Sequence, residues 1–199
     1  MESTVRSDIV RIREKLRAES LAARDSLPPS VRADKSGRII DHLWDYLVGK
    51  EVLHTYVSFR SEVDTHSLIE EALESGLRVV VPIIKERDGS KTMLHSVVTT
   101  DSAYHRGLFG VEEPIHGIPV DLHTLDIVIV PLAAFDRKGT RLGYGKGFYD
   151  RFLSALPRTI PRIGLAFAIQ ETAEIPQLTH DEPLNLVITE DEVIYCGSS

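Results

Sequence analysis

The segment DIVIVPLAAFDRKGTRLGYGKGFYDRF, Asp126–Phe152, decides how this chain is read. It opens on DIVIVPLAA, apolar from Ile127 to Ala134 and β-branched at Ile127, Val128, Ile129 and Val130. A run that is apolar at every position, rather than at every second one, predicts a strand covered on both faces, as in a parallel sheet between helices. The chain then turns polar, and Gly139, Gly143, Gly145 and Gly147 punctuate a cationic stretch. A helix is expected over Lys146–Leu156, stopped by Pro157, whose ring cannot continue it. In sheets of this kind ligands gather beyond the carboxyl ends of the strands. The glycine stretch lies at such an end.

Outward from this unit the same grammar recurs. LRVVVPII (77–84) reads as a second doubly buried strand, and EVLHTYVSF (51–59), TMLHSVV (92–98), RIGLAFA (162–168), LNLVITED (184–191) and EVIYC (192–196) as further strands. Helices are expected over Val5–Leu27, from Pro28 to the stop at Gly49, and over Thr65–Ser75 with Asp64 or Thr65 as N-cap and Gly76 as terminator. Thr99–His123, with Gly107, Gly110 and Pro114, reads as a long irregular surface loop. The expectation is one α/β domain over residues 1–199, a three-layer sandwich with a mainly parallel sheet flanked by helices.

The net charge of −7 argues against nucleic acid as the main partner, since phosphate neutralisation needs a broad basic surface. The lone Cys196 has no second cysteine for an internal disulfide, which points to a reducing compartment and to tail packing rather than a nucleophile. The opening MESTVRSDIV lacks a signal pattern, and the apolar run Ile127–Phe135 is too short to span a bilayer, which takes roughly 20 residues. A cytoplasmic monomer acting on a small molecule, without nucleic acid or membrane partner, is expected.

Glycine lets the backbone adopt positive φ and come close to a ligand, so that successive N–H groups converge on an anion. Arg137, Lys138, Arg141 and Lys146 add charge, a combination suited to a polyphosphate. The common phosphate fingerprints do not fit: Lys146 is followed by Gly147 and Phe148, not Ser or Thr, and the G-x-G-x-G comes late in the chain. Asp150, three residues past Gly147, is placed either to hold a divalent cation or simply to favour the first turn of a helix. On the opening helix Val5, Ile9, Ile12 and Leu16 make an apolar stripe. Arg6, Arg13, Arg17 and Arg24 fall within about 40° of one another on the wheel, either as a solvated face or as anion ligands. The eight histidines are scattered without zinc spacing.

FDRKGTRLGYGKGFYDRFL (135–153) resembles the signature of the 5-formyltetrahydrofolate cyclo-ligase family, also called methenyltetrahydrofolate synthetases. REKLRAESLAARDSL, YVSFRSEVDT, GVEEP and THDEPLNLVIT resemble that family's opening helix, substrate loop, central turn and closing segment, in order over nearly the whole chain. The resemblance implies an enzyme that uses ATP and magnesium to convert 5-formyltetrahydrofolate into 5,10-methenyltetrahydrofolate through a phosphorylated formyl group. It implies ATP contacts from Arg13, Arg17, Arg141, Gly143, Tyr144, Gly145, Lys146, Gly147, Phe148 and Tyr149, with Lys146 and Arg141 stabilising charge on the transferred group. Asp150 and Asp181 would be the magnesium ligands, and Val57 and Glu62, with Tyr144 to Phe148, would meet the folate. Asn185 stands where the family often has an acid, which would weaken support for Asp181. Two rival readings are a sugar-phosphate isomerase-like enzyme, set apart by ATP dependence, and a non-catalytic folate- or nucleotide-binding relative, which predicts a broken glycine loop or a missing metal acid, whereas Lys146, Asp150 and Asp181 are all present.

Overall fold

The structure, a computed structural model, describes residues 2–197, with side chains from Arg6 onward. Its helices are α1 (Glu2–Asp25), α2 (Pro29–Leu47), α3 (His66–Glu74) and α4 (Phe148–Ser154). Its strands are β1 (Val52–His54), β2 (Arg78–Arg87), β3 (Ser90–Val98), β4 (Tyr104–Arg106), β5 (Glu112–Pro114), β6 (Ile118–Pro119), β7 (Ile127–Pro131), β8 (Ala134–Phe135), β9 (Arg141–Leu142), β10 (Arg162–Leu165), β11 (Leu186–Ile188) and β12 (Val193–Tyr195).

Eight strands make one sheet in the order β12-β11-β10-β7-β1-β2-β3-β6. The five central strands, β11 to β2, run parallel, and β12, β3 and β6 join antiparallel at the edges. The doubly buried reading of β7 holds because its residues alternate between two cores. Ile127 and Ile129 pack with Leu53, Val79, Ile163 and the apolar faces of α2 and α3 (Ile39, Leu43, Leu68, Ala72). Val128 and Val130 pack on the other side with Val52, Val80, Val187 and α4 (Phe152, Leu153). Helices thus cover both faces, giving the expected three layers. Each fully buried aliphatic side chain contributes roughly 1.5–3 kcal/mol.

Where the chain crosses from β1 to β2 it moves one way along the sheet, and from β7 to β10 the other way, so β1 and β7 flank the topological switch point. A crevice opens at the carboxyl ends of such a pair.

Local differences from the sequence reading have physical causes. β1 ends at His54, although Thr55, whose N still donates to Val80 O, and Tyr56 and Val57 stay buried. β2 and β3 run on through polar residues as one hairpin closed at Asp88–Gly89, both with positive φ. The 99–123 stretch is not wholly irregular: β4 and β5 pair, and Glu113 is buried. α3 takes its first-turn bond from Asp64, whose Oδ1 accepts from His66 N at 3.0 Å, while the Thr65 hydroxyl donates to Tyr56 O. α4 is shorter than expected.

On α1 the solvated-face alternative for the arginines fails: Arg13 and Arg24 are buried and Arg17 is half-buried, while Ile12 of the apolar stripe is 45% exposed and Leu16 packs against Ala134, Leu142 and Ile175. Val5 lies outside the described side chains. The helix docks by its arginine face, onto β8 and the turn at 168–170.

Candidate active site

A cleft of about 1120 Å³ lies over the carboxyl ends of β1 and β7, where Tyr56, Val57 and Pro131 form part of its wall. It is large for one ligand, since drug-sized sites run from about 300 to 1,000 Å³. Every site residue inferred from sequence lines it: Arg13, Arg17, Val57, Glu62, Arg141, Gly143, Tyr144, Gly145, Lys146, Gly147, Phe148, Tyr149, Asp150 and Asp181.

The glycine loop is built by a buried carboxylate. Asp136 accepts from the amides of Lys138 (3.0 Å) and Thr140 (2.9 Å) with one oxygen, and from that of Ile175 (2.9 Å) with the other. This closes the β8–β9 hairpin and ties it to the segment that leads to Asp181. Gly139, at φ +86°, sits where a Cβ would lie 2.6 Å from Leu184 O, so only glycine fits. Past β9 the chain passes through Gly145 and Gly147, both at positive φ, before α4 begins. Lys146 stands exposed on this loop, without a carboxylate partner among the described ion pairs.

Arg141 is the most informative residue. It is buried, donates Nη1 to Asp150 Oδ1 at 2.8 Å, and leaves Nε and Nη2 without a partner among the described residues. The buried hydroxyl of Tyr149 is likewise unpaired. A buried donor left unsatisfied costs about 1–3 kcal/mol. Three such donors in one wall, beside an exposed lysine and a glycine loop, fit an anion that supplies the missing acceptors.

The two acids on this side differ. Asp150 uses Oδ1 for Arg141 and keeps Oδ2 without a partner among the described residues. Asp181 meets Arg13 with both oxygens, at 2.6 and 2.9 Å, and its Oδ2 also accepts from Leu178 N at 2.8 Å. A carboxylate has about four lone-pair sites. Asp150 therefore has more to offer a hard cation, and Asp181 has one site left. Among the described residues no three His, Cys, Asp or Glu side chains gather as a closed metal site would require. Magnesium needs only one or two carboxylates when phosphate oxygens and water complete its shell, so the donor set fits that ion. Asn185, expected to bear on Asp181, instead accepts from Arg162 N at 2.8 Å.

Across the cleft, Glu62 accepts from Phe59 N at 2.8 Å and from the Tyr144 hydroxyl. Burial pushes its carboxyl above the ordinary range, against these two bonds and the charge of Arg24. Burial and the Glu62 charge push the Tyr144 hydroxyl well up. Two participants went unassigned in the sequence. Arg24 reaches Tyr144 (3.0 Å), Ser61 (3.0 Å) and Leu132 O (3.4 Å). Its place in the arginine stripe, seven residues after Arg17, was the available signal. Glu113, also lining the cleft, accepts from Ile84 N at 2.8 Å. Nothing in GVEEP singles it out from Glu112.

A mixed α/β sheet with a cleft at its switch point, walled by a cationic glycine loop on one side and a half-buried acid on the other, is the scaffold of an enzyme acting on small molecules. The chain belongs to the 5-formyltetrahydrofolate cyclo-ligase family, whose sequence model matches residues 9–190. It is 30% identical to the 5-formyltetrahydrofolate cyclo-ligase of Escherichia coli over 177 residues, covering 85% of this chain and 96% of that one. It is also 30% identical to that of Mycolicibacterium smegmatis over 182 residues, covering 90% and 94%. Among solved structures it resembles the 5,10-methenyltetrahydrofolate synthetase of Aquifex aeolicus, with a TM-score of 0.80 and 28% identity over 94% of each chain. The fold is shared with the Mycoplasma pneumoniae 5,10-methenyltetrahydrofolate synthetase at a TM-score of 0.72 and 22% identity, covering 89% of this chain and 98% of that one.

Proposed function

We propose that this chain closes 5-formyltetrahydrofolate to 5,10-methenyltetrahydrofolate at the expense of ATP, with Mg²⁺, as a single-domain cytoplasmic monomer with no nucleic-acid or membrane partner. Among the described residues no helix is long and apolar enough to cross a membrane. The observation that carries the reading is the pair of unspent Arg141 donors beside Asp150, under the glycine loop and in the same cleft as Glu62.

An amide-like formyl oxygen is a poor leaving group. In the proposed course it attacks the γ-phosphorus of ATP, the bond to the β,γ-bridging oxygen breaks, and ADP departs. N10 of the folate then adds to the activated formyl carbon, the C–O bond breaks to release phosphate, and N10 loses its proton as the ring forms. Arg141 and Lys146 neutralise charge on the transferred group, and the loop amides orient it, so the residues contribute positioning and electrostatics. Bound at Asp150, with Asp181 nearby, magnesium would neutralise phosphate charge. Glu62 suits the donor-rich edge of the pterin, where paired hydrogen bonds form. Arg13 and Arg17 hold the nucleotide from α1.

The test is growth of methenyl-folate absorbance with 5-formyltetrahydrofolate, ATP and Mg²⁺. Lys146→Ala, an exposed position, is expected to leave stability unchanged and to lower turnover by roughly 10²–10³, the scale for losing one charge-stabilising group. A wild type that forms no product sinks the proposal, and an unimpaired Lys146→Ala removes the lysine from it.

A further inference from the structure

Arg24 is a buried cation with no carboxylate within ion-pairing distance among the described residues. Such a charge is costly unless something nearby balances it. The balance comes at one remove, from Asp25, to which the Ser61 hydroxyl donates, and from Glu62. Arg24 Nη1 donates to the Tyr144 hydroxyl at 3.0 Å, and that hydroxyl in turn donates to Glu62 Oε1. Arg24 also grips Ser61 Oγ at 3.0 Å, one residue from Glu62, and Leu132 O at the end of β7. Seven residues earlier on the same helix face, Arg17 Nε donates to Gly143 O at 2.7 Å, and its guanidinium lies 3.8 Å from where a Cβ on Gly145 would stand. Consecutive loop residues, Gly143 and Tyr144, are therefore pinned to α1, and the second of them is also bonded to the acid on the opposite wall.

We propose that Arg24–Tyr144–Glu62 is a relay that couples the two substrate subsites, with Arg24 as its positioning residue. The inference rests on the function proposed above, in which the glycine loop takes the nucleotide and Glu62 takes the folate. Tyr144 lies between Gly143 and Gly145, so phosphates that order this loop also fix where its hydroxyl points. Only when that hydroxyl is held, accepting from Arg24 and donating to Glu62 Oε1, is the carboxylate set with its remaining lone pairs toward the folate. Nucleotide binding then prepays the ordering that folate binding needs, and the second ligand binds more tightly. Coupling of this kind is reciprocal, so folate must tighten nucleotide by the same factor.

The experiment measures the Kd of 5-formyltetrahydrofolate by calorimetry, without and with saturating non-hydrolysable ATP analogue and Mg²⁺. The wild type is expected to show at least tenfold tightening, within the usual range of coupling between sites. Tyr144→Phe removes one hydroxyl from a half-exposed ring, so it keeps the test open should Arg24→Gln fail to fold. In either variant the ratio of the two Kd values is expected to fall below threefold. A purely structural role would weaken both Kd values by one factor and leave the ratio intact, which would overturn the relay. A wild type that forms methenyl product but shows no tightening also overturns it and leaves the proposed function standing. A wild type that binds neither ligand and forms no product removes the function itself, and the relay with it.

Discussion

Under α4 lies a pair of histidines whose protonation the fold resists. His54 on β1 is fully buried, its Nε2 stands 3.0 Å from His95 Nδ1 on β3, and its own Nδ1 has no partner among the described residues. Both rings pack at a tilt against Phe152, with centroids 4.6 and 4.2 Å away. Burial lowers His95 to about 4, and burial followed by the charge of His95 lowers His54 well below its ordinary 6.5. The sign follows from linkage: below pH 6.5 the unfolded chain takes up protons that the folded one refuses, so stability falls as pH drops from about 6.5 toward 4. For His95 alone the loss at pH 5 is about 2 kcal/mol, from 1.36 kcal/mol per unit over the 1.5 units below its unfolded value. Partial exposure of His95 makes this an upper figure, and His54 adds a loss of the same sign. His95→Gln keeps a hydrogen-bonding group toward His54 without titrating. Urea unfolding at pH 7 and pH 5 is expected to show the wild type losing about 1–2 kcal/mol more than the variant. Equal losses in the two proteins would refute the reasoning.

Arg141→Lys keeps the charge but not the fork that holds Asp150 while presenting two further donors. It is expected to lower kcat/KM by roughly 10–100-fold, corresponding to one lost charge-assisted bond, in the methenyl-folate assay. Gly164→Ala on β10 would place a Cβ 2.6 Å from Leu184 Cδ1 and 2.7 Å from Leu132 Cδ2. A cost of about 1–3 kcal/mol from overpacking is expected in thermal unfolding, with activity per folded molecule unchanged.

The strands with unbroken apolar runs were legible because burial on both faces leaves no position for a polar residue, as β7 shows residue by residue. What escaped was set by partners far away in sequence. β3 begins at Ser90, before the apolar run, because pairing with β2 rather than hydrophobicity carries it through Lys91 and Thr92. The short β4–β5 pair has no apolar pattern to announce it. On α1 the wheel showed the arginine stripe but could not decide between solvent and ligands, because what buries it is distant: carbonyl oxygens, Asp181 and Tyr144. The residues named through family resemblance and the glycine pattern all line one cleft. Arg24 was seen as part of the stripe, but its bonds depend on a loop 120 residues downstream.

That docking of α1 has a consequence for the order in which the molecule is made and opens. Arg17 to Gly143, Arg24 to Tyr144 and Arg13 to Asp181 close loops of 126, 120 and 168 residues. Contacts of such range are slow to form, because chain entropy is lost before they repay it. On a ribosome α1 emerges well before the loops and the acid that its arginines bond. In the finished protein this seam, mostly polar apart from Leu16 against Ala134, Leu142 and Ile175, is the expected line of local unfolding. Amides of α1 are then expected to exchange with solvent before those of β1, β7 and β10. The α1 wall of the cleft is thus expected to be the part of the molecule that assembles late and opens early.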